Sequence, residues 1–230
     1  MRQHTSVPSV QDCSCLALAN LAMDGDGSRK LIVESGALPL LLQAIRQHTL
    51  VQGNGCLALG NLALDDDSRK LIVKSGAVPL LLQAMRQHVS VPNAHLYSCL
   101  ALANLANDDD NRKVIVESGA LPLLLQAMRQ HASEPNFQTY VCLALRNLAH
   151  SSPRNQKLIG QRGGIDLILQ AMQRHPLVAQ LQEQACWALH KLSFQCENQR
   201  QMSKKAKEAV VSAQRNFPDM DLPSLVHSST

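Results

Sequence analysis

The residues Ser28-Arg29-Lys30-Leu31-Ile32-Val33-Glu34-Ser35-Gly36-Ala37-Leu38-Pro39 return, barely altered, at 68–79 and again at 111–122. The stretch behind them behaves the same way. Leu40-Leu41-Leu42-Gln43-Ala44-Ile45-Arg46-Gln47-His48 recurs at 80–88 and at 123–131. A third phrase, Cys15-Leu16-Ala17-Leu18-Ala19-Asn20-Leu21-Ala22, restarts at Cys56, Cys99 and Cys142, and in altered form at Cys186. The chain is therefore built from one unit repeated every 41 to 44 residues.

Each unit carries its own punctuation. Ser28, Ser68 or Asn111 follows a short acidic loop and suits the N-cap of a first helix, about residues 29–35 in the first unit. Gly36, Gly76, Gly119 and Gly163 stand where a left-handed residue ends that helix. Pro39, Pro79 and Pro122 fall in the first turn of a second helix, where an N–H has no partner to lose. That helix runs to His48, His88, His131 or His175, and a third follows, as at 93–107, with apolar residues on a helical period.

Three helices per unit, the middle one opened by Gly-Ala-Leu-Pro and the third closed by Asn-Leu-Ala, resemble the armadillo repeat. The period lies within the armadillo and HEAT range and outside those of TPR, ankyrin and leucine-rich repeats. HEAT units, with two long helices, have no need of the extra short one. The resemblance covers residues 1–217 and implies an all-α fold, a right-handed α-solenoid of three-helix armadillo-type repeats. Residues 1–23 are expected to be a partial repeat keeping only its third helix. Full repeats follow at 24–64, 65–107, 108–150 and 151–195. Residues 196–217 read as a degenerate C-terminal capping half-repeat and 218–230 as a flexible tail. The chain is expected to be either a fragment of a longer array or a short form that closes its open end by self-association.

Composition agrees. Of 230 residues, 45% are hydrophobic but only 3% aromatic, so the core must be mostly Leu, Ala, Ile and Val. The net charge of +4 is mild, and Lys and Arg form no run before Lys204, Lys205 and Lys207, which argues against a dedicated nucleic-acid surface. No stretch is long and apolar enough to span a bilayer, and residues 1–5 lack the apolar core of a signal peptide. These features set the expectation of a cytoplasmic or nuclear protein with no membrane partner, its seven cysteines reduced.

The recurring polar residues divide by chemistry. The cysteines occur once per layer, and stacked helices lie about 8–10 Å apart, too far for a disulfide. The histidines are placed to cap the free carbonyls ending the second helix. The acidic loops fail as EF-hands, because Arg29 and Ser35 stand where glycine and glutamate are needed. They read instead as favourable charges at helix N-termini, facing Arg-Lys pairs across solvent. No catalytic constellation and no cofactor site emerges, so the expectation is a protein that is not an enzyme.

One position remains. Asn20, Asn61, Asn104 and Asn147, with Lys191 in the fifth slot, recur on an otherwise Leu/Ala third helix. An amide there can brace neighbouring repeats, or it can bond a ligand's backbone, since it both donates and accepts. In armadillo proteins the third helices line a concave groove, so the resemblance implies an extended peptide bound along them. Stepping back three or four residues at a time brings Tyr97, Tyr140 and Trp187 onto the same stripe, and Arg146 and His190 directly precede the ladder position. Importin-α-like members carry tryptophan four residues before the ladder asparagine. Here Leu16, Leu57, Leu100 and Leu143 occupy that place, so the groove is not the classical one for basic peptides. A scaffold or adaptor holding an acidic or neutral peptide or protein is the expectation. The alternatives are a structural array that self-associates through its uncapped N-terminal end as a homo-oligomer, and an artificial, consensus-like scaffold without a natural ligand.

Overall fold

The computed structural model describes residues 1–87, 92–202 and 204–225. His88, expected to end a second helix, and residues 226–230 of the expected tail lie outside them. The described residues form fifteen α-helices and no strand. None of these helices is long and apolar enough to cross a membrane. They fall into two compact units, residues 1–123 and 124–230.

The first unit opens on α1 (Pro8–Leu21), with Pro8 in the first turn where its missing N–H leaves no gap. Then come α2 (Asp26–Glu34), α3 (Ala37–Gln47) and α4 (Gln52–Leu62), followed by α5 (Asp66–Lys74), α6 (Ala77–Gln87), α7 (Pro92–Leu105) and α8 (Asp109–Glu117). In α3, Leu38, Leu41, Leu42 and Ile45 share one face and are buried, the spacing that puts an apolar stripe toward a core. Like stacks on like: α1 on α4 and α4 on α7, α2 on α5 and α5 on α8, and α3 on α6. Each first helix ends in a glycine in the left-handed region, with φ of 76° at Gly36, 83° at Gly76 and 86° at Gly119. A side chain there would meet its own backbone, which is why glycine recurs.

Helix α9 (Ala120–Gln130) joins the two units. The second continues with α10 (Pro135–Ala149), α11 (Pro153–Gln161), α12 (Gly164–Arg174), α13 (Ala179–Leu192), α14 (Cys196–Gln201) and α15 (Lys204–Asn216). The stacking rule holds here too, α10 on α13, α11 on α14 and α12 on α15. Residues 196–216 thus keep a short first helix and a full second helix.

Four expectations change in the folded chain. Ser68 and Asn111 sit three residues inside their helices, and the caps are Asp65 and Asp108, whose carboxylates accept from the Ser68 and Asn111 N–H groups at 2.8 and 3.0 Å. In the first repeat the N-cap is Gly25, without a side-chain bond. The arginines after the acidic loops do not face carboxylates across solvent. Arg69 and Arg112 are buried; each ion-pairs with Asp66 or Asp109 and donates to a carbonyl ending the preceding third helix, Ala63 O at 2.9 Å and Ala106 O at 3.1 Å.

The His48 and His175 rings are turned away from the ends of their own second helices. On α3, and on the second helices that end at residues 130 and 174, the capping falls to Gln52, Gln138 and Gln182, each four residues before a ladder cysteine. Gln11 Nε2 donates to His4 O in a stretch that is not helical, and Gln182 Nε2 donates to both Met172 O and His175 O at the end of a second helix. Gln138 does the same for Met128 O and His131 O. The His48 and His175 rings reach back to the preceding loop, to Thr5 O at 2.6 Å and Ala132 O at 2.9 Å. Finally, residues 218–225 are not loose: Leu222 and Leu225 are buried and the backbone turns back after α15.

Candidate functional site

The third helices decide where the conspicuous residues lie. In the first unit, Asn61 Nδ2 donates to Ala19 O and Asn104 Nδ2 to Gly60 O, both at 2.9 Å. The ladder amides therefore brace successive third helices, the first of the two uses open to them. Asn61, Asn104 and Asn147 keep 7% exposure each, and for Asn61 and Asn104 the amide has a second hydrogen and an oxygen beyond that brace. Asn20 is exposed on α1.

Around the asparagines, the stripe is half-exposed as the helical spacing predicts. In the first unit it comprises Leu57 on α4, then Tyr97 and Leu100 on α7, with Asn54 donating to Asp12 at 2.9 Å one turn back. In the second unit Tyr140 and Leu143 on α10 are half-buried, as are Trp187, His190 and Lys191 on α13.

There the side chains converge. Arg146 donates to Gln184 Oε1 at 2.9 Å, and its guanidinium lies 5.5 Å from the Trp187 ring centre. Lys191 Nζ lies 5.9 Å from the same ring. His190 meets Trp187 edge-on at 5.7 Å and Phe194 edge-on at 5.1 Å. Trp187 is thus flanked by two cations, a geometry favourable by about 0.5–2 kcal/mol per pair. Phe194 is 54% exposed. Lys191 and Phe194 also border a cleft of about 430 Å³ that includes His150 and Ser151, whose φ of 50° is rare outside glycine. Of the site residues expected from sequence in the second unit, Arg146, Trp187, His190 and Lys191 form one connected cluster, while Tyr140 and Asn147 lie on the same stripe of α10 outside it. Phe194 belongs to it as well, three residues past the ladder slot and one turn further along the helix.

The cysteines lie behind this surface. Cys15, Cys56, Cys99, Cys142 and Cys186 are free and buried, while Cys13 and Cys196 are free and exposed. Burial pushes the Cys15, Cys56 and Cys186 thiols up to about 12 and raises Cys99 and Cys142 as well. Among the described residues no three His, Cys, Asp or Glu side chains are grouped so as to hold a metal.

No curated protein shows significant sequence similarity to the chain. Among solved structures, an engineered protein of the Northeast Structural Genomics Consortium superposes with a TM-score of 0.75 at 22% identity, over 94% of this chain and 92% of its own. A structure of computationally designed armadillo repeat proteins for modular peptide recognition gives a TM-score of 0.75 at 17% identity, over 90% and 91%. The designed armadillo repeat protein YIII(Dq)4CqI gives 0.73 at 15%, over 90% and 92%. At these identities the likeness is one of fold, and it assigns the three-helix repeats to the armadillo-type α-solenoids. The family described as LRRK2 ARM repeat matches residues 55–222, well over half of the chain, and the chain belongs to that family.

Proposed function

We propose that the chain is a protein-binding scaffold whose third helices hold an extended peptide, acidic or neutral in character. One observation carries the reading: the half-exposed cluster of Trp187, Arg146, Lys191 and His190 on neighbouring third helices. Tryptophan and arginine are the residue types that dominate binding energies. Two cations beside a half-exposed aromatic ring attract carboxylates and repel a lysine-rich peptide. In the first unit Asn61 and Asn104 fix the spacing of the third helices and offer the remainder of their amides to a ligand backbone.

The test is affinity capture with the whole chain, mass spectrometry of what is retained, and a repeat with Trp187→Ala and Lys191→Ala together. A specific partner should fall at least about tenfold while helicity is unchanged. Unchanged capture would remove the cluster from the binding surface.

A second reading, a consensus-like artificial scaffold with no ligand of its own, is favoured by the engineered and designed origin of the solved structures it resembles. The near-identity of its neighbouring repeats points the same way. Capture of nothing specific, with the fold intact, would decide for it. Self-association through α1 would instead appear as a mass that rises with concentration.

A further inference from the structure

Helix α15 already packs on α12 and α13, so a helix covers the last full repeat before the chain reaches residue 218. The segment 218–225 nevertheless folds back. Its turns are closed by the Met220 N–H on Phe217 O at 3.2 Å and the Leu222 N–H on Met220 O at 2.9 Å. Gln214 Nε2 donates to Leu222 O at 3.5 Å. His190 Nδ1 lies 3.2 Å from Ser224 O. A carbonyl can only accept, so the hydrogen in that bond belongs to His190. Leu222 and Leu225 are each 8% exposed, whereas Asp219 and Asp221 face solvent.

This arrangement has the marks of peptide recognition. A main-chain carbonyl is held by a third-helix side chain, apolar side chains are buried, and the remaining side chains project outward. Pro223 biases Leu222 toward an extended backbone, which lowers the ordering cost of such a segment. The side chain that holds it, His190, also touches Trp187 and Phe194.

We propose that residues 218–225 are a tethered ligand seated at the C-terminal end of α13, excluding a free segment of the same chemistry from that end. The chemistry is a turn bearing aspartates, followed by a proline, with two leucines three residues apart. The proposal rests on the third-helix binding reading. It narrows that reading to one end of one helix and to one occupant.

A fluorescent synthetic peptide of residues 217–225 is the probe, titrated by anisotropy into the full chain and into the full chain carrying Leu222→Asp and Leu225→Asp. A competitor sees only the fraction of sites that is open. The variant should therefore bind the peptide at least about tenfold more tightly than the unaltered chain. Equal binding to both, or no binding to the variant, overturns the proposal. If circular dichroism shows that the variant has not folded, a flexible Gly-Ser insert of about 20 residues after Phe217 replaces it. The insert keeps every side chain and lowers the local concentration of the segment, so peptide binding must rise, and unchanged binding overturns the proposal. A partner captured as described above that still depends on Trp187 and Lys191 would leave the scaffold reading standing after such a failure. Loss of that dependence would sink the scaffold reading itself.

Discussion

Helices α1 and α4 carry nearly the same closing sequence, Cys-Leu-Ala-Leu followed by Ala or Gly and then Asn-Leu-Ala, yet they lead different lives. On α4, Ala58 and Leu62 are wholly buried and Asn61 nearly so. On α1, Ala17, Asn20 and Leu21 are exposed, Leu21 at 51%. The cause is the neighbour. Asn61 has the carbonyl of Ala19 to bond because α1 lies against α4, and nothing among the described residues lies against α1 in the same way. In a stacked array the stability of each layer comes from its own packing and its contacts with the next. The same residue can therefore be core in one layer and surface in another.

That contrast can be broken by mutation. Leu62→Ala should cost about 2–5 kcal/mol in denaturant unfolding, the range for a buried leucine, whereas Leu21→Ala should cost within about 0.5 kcal/mol, as at an ordinary surface site. Equal losses would mean that the α1 face is covered in solution. Asn61→Ala should cost about 1 kcal/mol by removing the brace to Ala19, and Asn20→Ala nothing measurable. A smaller contrast separates the caps of α5 and α2. Asp65→Ala should cost about 1 kcal/mol at neutral pH, through the lost bond to the Ser68 N–H. Ser68 holds the Asp65 carboxyl below its ordinary value, chiefly through a side-chain bond and helped by its backbone N–H. A depressed carboxylate contributes stability above the ordinary aspartate range, about pH 4, and that stability is lost as pH falls through the folded value. The difference between wild type and Asp65→Ala should therefore shrink as unfolding is measured at progressively lower pH through and below that range.

Much of the architecture was legible because it was repeated. The period, the glycine turns and the apolar stripes of α3 and α6 are written in one dimension. The cluster around Trp187 was half legible. Helical spacing put Tyr97, Tyr140 and Trp187 on one stripe, but only folding brings Arg146 over the ring of Trp187, 41 residues away. Gln52, Gln138 and Gln182 give no such plain sign, because a glutamine reads as solvent-facing until its amide is seen on a helix end. Their register, four residues before a ladder cysteine, was the available signal, and His95, which holds that place before Cys99, obscured it. Residues 218–225 carry no period, so the burial of Leu222 and Leu225 rests on contacts that pattern cannot express.

The buried thiols give each layer a chemical timer. A thiolate is the reactive form, and burial, which raises these thiols, keeps them protonated at neutral pH. Cys13 and Cys196 stand exposed. An alkylating reagent therefore marks those two while the array is closed, and each of the other five when its own layer opens. Cys15, on the helix with one open side, is the first of these due for labelling, and the order of the others records where the stack comes apart.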